Sequence, residues 1–443
     1  MALTGLEIYK LLPKTNCKEC GMPTCLAFAM QLAQKKTELE RCPHCSEEAK
    51  RLIGAAAAPP MRLIQFGKED SPVRIGQETV MFRHEEKFHH PPVIAVTVSD
   101  SLDAQKLDER LSEIDSLKFH RVGTDIAVDT VAVTNDSGSA DSFAAAAKAA
   151  DQRGFNILLV TKNADCAAAA AGAVSSRAVI CGVDNDNLRE MTAVASEHSC
   201  PVTANAAGIE ELAELTEKIK QAGVEDIILS LEENELREQL NGLTQARTLA
   251  LKKAFRPLGY PGISFVTGRD TDRQVTDAAA LICKYAAIVV VDTAQPWAVL
   301  PMLTTIMNIF TDPQKPVQVQ SKIYEIGEPD ENSPVMFTTN FSLTYYTVES
   351  DVEASRISSY ILVVDTEGTS VLTAYSGDKL NEKTVAKAMQ ENKLDELVKH
   401  RKLIIPGYIA VLSGKLQEEA GWDIMVGPRE SSMIPKYLQE VWN

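Results

Sequence analysis

No apolar stretch of the chain reaches eighteen residues, so nothing in it reads as a membrane-spanning helix. The opening MALTGLEIYKLLP has too short an apolar run, and no cleavage site, for a signal peptide, which makes a cytoplasmic protein the expectation. Neither a G-x-G-x-x-G fingerprint nor a P-loop occurs, which removes the common dinucleotide and nucleoside triphosphate sites. Histidine is scarce: His44, His84, His89, His90, His120, His198 and His400 are all there is. His89-His90 precedes two prolines in a loop without partner ligands at metal spacing, and His400 falls in a solvated run, ELVKHRK, read as a surface position near a helix end. Basic residues are outnumbered, 45 Lys plus Arg against 61 Asp plus Glu, and the net charge of −16 opposes nonspecific binding to nucleic acid or to an anionic membrane.

Cysteine, by contrast, is concentrated at one end. Five of the nine cysteines lie in the first 45 residues, while Cys166, Cys181, Cys200 and Cys283 are scattered through apolar surroundings, a pattern that suits buried free thiols in a reducing compartment. Cys17, Cys20 and Cys25 are spaced Cys-x2-Cys-x4-Cys, and Cys42 follows after sixteen residues. The stretch NCKECGMPTCLAFAM sets three thiolates on a loop with Gly and Pro that runs into an apolar helix, so the chain can wrap one corner of a cluster and then cover it. Four thiolates in this arrangement suit a [4Fe–4S] cluster, and a cluster implies electron transfer. Zinc is the alternative, because Cys17-x2-Cys20 with Cys42-x2-Cys45 approximates a zinc ribbon; that arrangement leaves Cys25 unused.

With 443 residues, 45% of them apolar, the chain has material for about three domains. The first, residues 1–58, ends where an alanine run meets Pro59-Pro60, a composition that reads as a linker able to let the cysteine domain swing. Over 59–315, short β-rich runs alternate with helical stretches. Eight strands are expected, at 93–99, 126–134, 156–161, 178–183, 201–206, 226–231, 262–267 and 287–292, and eight such repeats close a (β/α)8 TIM barrel. Chemistry in that fold sits beyond the C-terminal strand ends, where Asp129, Asp184, Asn185, Asn205 and Asp292 are candidates, or simply helix caps and turn residues.

The pattern changes after Pro313 and Pro316, and residues 316–443 read as a small open-sheet α/β domain. It offers FSLTYYTV (341–348) as an entering strand, a helix around 352–358, the strand YILVVDT (360–366), then SVLTAY, a helix after Asn381, IIPGYIAVLSG and WDIMVG. Two turns, DTEGTSVLTAYSGDKL (365–380) and GPRESSMIPKYL (427–438), concentrate glycines and hydroxyls. Small residues let backbone amides approach a planar or phosphorylated ligand, and Gly427-Pro428 ahead of a helix offers free N–H groups to an anion; the plain alternative is a pair of ordinary turns.

The segments TGLEIYK, LPKTNCKECGMPTCLAFAMQLA with Cys42, TAYSGDKL and GPRESSMIP together resemble the large (gamma) subunits of the corrinoid iron–sulfur protein of the acetyl-CoA synthase/CO dehydrogenase pathway, over the full length of the chain. The resemblance implies a [4Fe–4S] domain held by Cys17, Cys20, Cys25 and Cys42, a barrel, and a C-terminal domain that binds a corrinoid, a cobalt-containing cobamide. It also implies a heterodimer with a smaller (delta) subunit, and as partners a methyltetrahydrofolate methyltransferase, acetyl-CoA synthase/CO dehydrogenase and an electron donor such as ferredoxin. In such a protein cobalt carries a methyl group from methyltetrahydrofolate to acetyl-CoA synthase, and the cluster returns inactive cobalt(II) to cobalt(I). For the corrin pocket the expected residues are Asn340, Thr344 and Tyr346 on the entering strand, Ser370, Val371, Leu372 and Thr373 with their successive backbone groups, and Gly377 and Met433 in the two small-residue loops. No Asp-x-His-x-x-Gly occurs, so a base-off corrinoid without a protein imidazole on cobalt is expected, an omission that raises the cobalt(II/I) potential. The rival readings are a pterin-dependent methyltransferase whose barrel binds its methyl donor at Asp129, Asp184 and Asn205, and an electron-transfer subunit without corrinoid.

Overall fold

The computed structural model describes residues 4–34, 36–46, 48–50, 53, 59–232 and 235–442. The chain divides into two compact units, Met1–Lys118 with Ala127–Phe310, and Phe119–Ile126 with Thr311–Asn443. Residues 54–58, most of the stretch read as a linker, lie outside the described residues.

In the first unit a two-stranded antiparallel hairpin, β1 (Leu63–Phe66) and β2 (Val73–Gly76), precedes the barrel. After β3 (Val93–Ser99) the chain makes a second hairpin, β4 (Lys118–Arg121) and β5 (Thr124–Ala127), of which Phe119–Ile126 belongs to the second unit. The remaining barrel strands are β6 (Thr130–Thr134), β7 (Asn156–Val160), β8 (Val179–Val183), β9 (Val202–Ala206), β10 (Ile227–Leu231), β11 (Gly262–Phe265) and β12 (Ala286–Val291). These and β3 close into one ring of eight parallel strands, with β12 paired back to β3. They are the eight strands expected, and the fold class is a TIM barrel with an N-terminal cysteine region and a further C-terminal sheet domain.

Side chains such as Ala95, Ala132, Leu158, Val179, Ile228, Ile263 and Ile288 fill the barrel interior as a packed core. Ile64, Phe66 and Ile75 join that core, so β1 and β2 stopper the N-terminal end of the strands; this hairpin was not anticipated. The expected strand at 126–134 divides into the end of β5 and the whole of β6. Asp129 therefore lies ahead of its barrel strand, at the end opposite to the one where barrel chemistry collects. Three crossover helices start where Asp103, Ser139 and Asn163 accept the backbone N–H three residues on, each satisfying a donor the helix leaves unpaired. Cys166, Cys181 and Cys200 are buried as expected, and burial pushes Cys181 up to about 12 and Cys200 up to about 11, whereas Cys283 is exposed. No helix among the described residues is long and apolar enough to cross a membrane.

The second unit is built on a five-stranded sheet in the order β13-β15-β14-β16-β17. β13 (Ile323–Ile326) is an antiparallel edge, and β14 (Val335–Thr339), β15 (Ser359–Val364), β16 (Lys402–Ile405) and β17 (Asp423–Val426) are parallel. Leu380, Val385, Met389 and Leu416 cover one face, and Tyr345, Val352, Ile434 and Leu438 the other. The sequence FSLTYYTV, expected as a strand, is instead the first half of a helix, Ser342–Ser355. Its aromatic and β-branched residues suggest a strand, but the buried positions 342, 345, 352 and 355 share one helical face. The entering strand is VMFTT, just before it, and SVLTAY likewise supplies a short helix, Val371–Ser376.

Candidate functional site

The cysteine region begins with helix Gly5–Leu11, in which Thr4 and Glu7 cap each other reciprocally, packed against helix Cys25–Ala33. In the loop between them Lys14, Asn16, Lys18 and Gly21 take φ values of +59°, +50°, +67° and +83°. Such conformations are costly for lysine and persist only where the surroundings demand them. The Asn16 side chain accepts the Cys25 N–H at 2.8 Å, and the Asn16 N–H points at Cys25 Sγ at 3.4 Å. Cys25, Cys42 and Cys45 are buried in one apolar cluster with Ile8, Leu12 and Phe28, against which Cys20 also packs. Cys17 is half-buried, and its sulfur lies within 4.8 Å of both Glu19 and His44, whose side chains are 3.1 Å apart.

The second feature follows from strand order. The chain leaves β14 for β15 on one side and then crosses to β16 on the other, with helices on opposite faces, so the loops after β14 and β16 diverge. In an open α/β sheet this reversal leaves a crevice beyond the carboxyl ends of the strands, where ligands bind. A cavity of about 350 Å3 lies there, walled by Thr338 on β14, Thr344 and Thr347 on the following helix, Ile405 at the end of β16 and Pro406 just after it. Leu343, Leu372 and Tyr408 form an exposed apolar rim. Two glycines make the wall possible: a Cβ on Gly407 would lie 2.5 Å from the Gly427 carbonyl oxygen, and one on Gly427 2.9 Å from Ile404. The Tyr408 hydroxyl donates to Glu430, which raises its phenol pKa, and burial raises that of Tyr437.

The expected residues fare unevenly. Thr344, Ser370, Val371 and Leu372 line the cavity. Asn340 is buried one residue past β14 and wholly engaged: its Oδ1 accepts from the Thr366 N–H, the Thr366 hydroxyl and the Gly368 N–H, and its Nδ2 donates to Gln318 and Asp365. Tyr346 is on a helix rather than a strand, beside Tyr345 and against Gly123 at the tip of the β4–β5 hairpin. Thr373, Gly377 and Met433 are exposed and outside the cavity wall, although Ser370 and Thr373 share a hydroxyl contact at 3.1 Å. The Gly427 N–H, expected to be free, donates to the Ile405 carbonyl at 2.9 Å. His400 is half-buried: its Nδ1 accepts from the Lys402 N–H at 3.0 Å and its Nε2 contacts the Ser333 carbonyl at 2.9 Å. Sequence reasoning missed Thr338, because its strand was not recognised, and it named IIPGYIAVLSG without assigning Ile405, Pro406 or Tyr408 to a site.

At the barrel's C-terminal end the candidate polar groups are also engaged. Asp184 pairs with Lys162 at 3.0 Å; burial by itself would raise its pKa, but the Lys162 bond and two backbone N–H groups hold it below the usual carboxylate range. Asn205 accepts the Thr203 hydroxyl, Asn185 bridges Glu211 and Lys218, and Asp292 accepts from Thr97 and the Gly268 N–H.

A family model described as CO dehydrogenase/acetyl-CoA synthase delta subunit matches residues 63–438, and one described as "Putative Fe-S cluster" matches residues 12–44. The corrinoid/iron-sulfur protein large subunit of Moorella thermoacetica is 43% identical over 441 residues, 99% of either chain. The acetyl-CoA decarbonylase/synthase complex subunit gamma of Methanothermobacter thermautotrophicus is 35% identical over 455 residues, covering 100% of this chain and 99% of that one. Among solved structures, the 7,8-dihydropteroate synthase of Vibrio fischeri ES114 is similar at a TM-score of 0.39 and 13% identity, over 56% of this chain and 99% of that one, a likeness too distant to bear on function. The matches to large and gamma subunits run through the cysteine loop, the barrel and the sheet alike, and the chain belongs to the family of corrinoid/iron–sulfur protein large (gamma) subunits.

Proposed function

We propose that the chain is a methyl carrier of three domains, a [4Fe–4S] domain over 1–58, a barrel over 59–315 and a corrinoid domain over 316–443. The observation that carries the reading is the cavity at the strand-order reversal of the five-stranded sheet, mostly apolar in its lining, in a chain of this family. A corrinoid bound there would supply a cobalt centre that takes a methyl group from methyltetrahydrofolate, through a methyltransferase, and yields it to acetyl-CoA synthase. Leu343, Leu372 and Tyr408 offer the dry surface on which a macrocycle rests, and the cavity behind them is sized for a side arm of the cofactor. Asn340 positions the loop at 365–370 that carries Ser370, and does so by spending all its hydrogen bonds inside the protein. His400, the one histidine of residues 316–443, lies ahead of β16 at the end of the strand opposite the cavity, with both ring nitrogens engaged, which supports a cobalt without protein imidazole from this domain.

In the cysteine region the donor set, thiols in apolar surroundings with the Asn16 N–H on Cys25 Sγ, fits an iron–sulfur cluster. The matched Fe–S region spans Cys17, Cys20, Cys25 and Cys42 and stops short of Cys45, which supports the four-thiolate set over a zinc ribbon. A cluster there would supply the electron that returns oxidised cobalt to its reactive state, and the N–H of Asn16 at Cys25 Sγ favours the reduced form. A small (delta) subunit, the methyltransferase, acetyl-CoA synthase and a ferredoxin-like donor are the partners, in the cytoplasm. The test is iron, sulfide, zinc and cobalt analysis of protein purified without oxygen from corrinoid-supplied cells together with its small subunit. About four iron and one cobalt per chain are expected; zinc without cobalt would overturn the reading.

A further inference from the structure

The cysteine loop brings together a set of metal-binding side chains that reaches outside the four expected thiolates. One ligand atom from each of Cys17, Glu19 and His44, a sulfur, a carboxylate oxygen and a ring nitrogen, lie within 4.8 Å of one another. The Glu19 oxygen and the His44 nitrogen are 3.1 Å apart, and the chain between Cys17 and Glu19 bends through Lys18 at φ +67°. A first-row divalent ion bonds sulfur, nitrogen and oxygen at about 2.0–2.3 Å, which sets tetrahedral ligand-to-ligand spacings of roughly 3.3–3.6 Å. The oxygen–nitrogen spacing is already near that value, and the spacing to sulfur is reached by turning two exposed side chains. As a surface pair alone, Glu19 and His44 contribute little to stability.

We infer that Cys17, Glu19 and His44 form a mononuclear ferrous-iron site of the cluster-free chain, at which iron enters before the cluster is built. The inference rests on the iron–sulfur reading and adds two residues that are not cluster ligands. Exposure sets the order of events. The Glu19 and His44 side chains are 56% and 47% exposed and Cys17 is half-buried, whereas Cys25 and Cys42 are 7% and 5% exposed within the apolar cluster. Hydrated iron arriving from solvent meets the first set before the second. The ligand types also fit, since imidazole and carboxylate suit ferrous iron, and three protein ligands leave a fourth position open. His44 is two residues past Cys42, so an ion held by Glu19 and His44 pins the loop to a segment 25 positions away and keeps the fourth thiol near the other three. On binding, the Cys17 thiol gives its proton to water. His44 coordinates through one ring nitrogen and keeps a proton on the other, and Glu19 exchanges its contact with His44 for the metal. Iron stays ferrous and no electron moves. With one thiolate and two exposed ligands the ion remains exchangeable and is lost on desalting, unlike a finished cluster.

The test uses the full chain with its small subunit, produced without corrinoid and stripped of iron under nitrogen. The probe is ferrous iron at one equivalent, without sulfide, read by Mössbauer and X-ray absorption spectroscopy. Expected is a high-spin ferrous ion with one sulfur neighbour and otherwise nitrogen and oxygen. His44→Ala and Glu19→Gln should each raise its Kd by about tenfold or more, while Glu40→Gln, which alters an exposed carboxylate outside the set, should change it less than about twofold. With cysteine and a cysteine desulfurase as the sulfur source, the first two variants should assemble the cluster several-fold more slowly at limiting iron, yet end at about four iron per chain. Both side chains are exposed, so the melting temperatures should match the parent's. No bound ion in the parent, an ion held by sulfur alone, or a Kd that His44→Ala leaves unchanged would overturn the inference. A parent that builds no iron–sulfur cluster with iron and sulfur in excess would instead bring down the iron–sulfur reading itself.

Discussion

Asn340 lies one residue past β14, and its carboxamide ties together three segments: Gln318 before the sheet, Asp365 after β15, and the turn at 366–368. Removing it leaves the Thr366 and Gly368 backbone N–H groups without their acceptor, while the Thr366 hydroxyl keeps the Thr369 carbonyl. Asn340→Ala is therefore expected to lower stability by about 2–4 kcal/mol, read by chemical denaturation, and to weaken corrinoid binding at least tenfold as the loop bearing Ser370 loosens. Asn340→Asp should do no better, since it sets a carboxylate against Asp365 where an amide donor now sits at 2.8 Å. The sequence singled the residue out for the corrin pocket; in the structure it does not line the cavity and braces the loop beside it. Whether an Asn faces a ligand or its own chain depends on partners that are 22 to 28 positions away in sequence. Tyr346 makes the same point in reverse: expected in the corrin pocket as part of an entering strand, it packs on Gly123 of a hairpin more than two hundred positions earlier.

At the scale of elements, the barrel strands were legible and the sheet's entering strand was not. A barrel strand is an unbroken β-branched run between turn residues, so composition and period agree. At 335–348 the true strand, VMFTT, runs into a helix whose first turns, SLTYYTV, are as β-prone as the strand itself, and only the burial of 342, 345, 352 and 355 tells them apart. The loops that close the cavity show a similar dependence on packing. Gly407 and Gly427 touch across the wall, and Gly407→Ala drives a Cβ into backbone that cannot give way. A loss of about 2 kcal/mol is expected, seen as a drop in melting temperature. Gly414 is the contrasting case, since it sits in helix Ser413–Ala420 with open space where a Cβ would go. Gly414→Ala should stabilise the same unit by about 0.5–1 kcal/mol. If both substitutions changed stability alike, the crowding described at the cavity wall would be wrong.

At the scale of the whole molecule, the cysteine loop and the cavity belong to different compact units, so the two sites should be separable by mutation. Cys25→Ala is expected to abolish iron incorporation while corrinoid affinity changes less than about twofold, and reductive reactivation of cobalt should be lost with the iron. Cys45→Ala should retain about four iron per chain. Iron analysis and a corrinoid titration on the two proteins check both statements; iron lost with Cys45 and kept without Cys25 would favour the zinc-ribbon type of ligand set.

The sequence alone determined what depends on neighbours along the chain. The cysteine spacing, the eightfold strand–helix alternation and the full-length likeness to large and gamma subunits are all of this kind. Tertiary structure decided what depends on which distant segments meet. The order β13-β15-β14-β16-β17 places the crevice between β14 and β16, the stopper hairpin β1–β2 fills the barrel's lower end, and His400 finds both its partners inside its own unit. Strand order and side-chain partnership arise from pairings across long stretches of chain, and local composition carries almost no record of them.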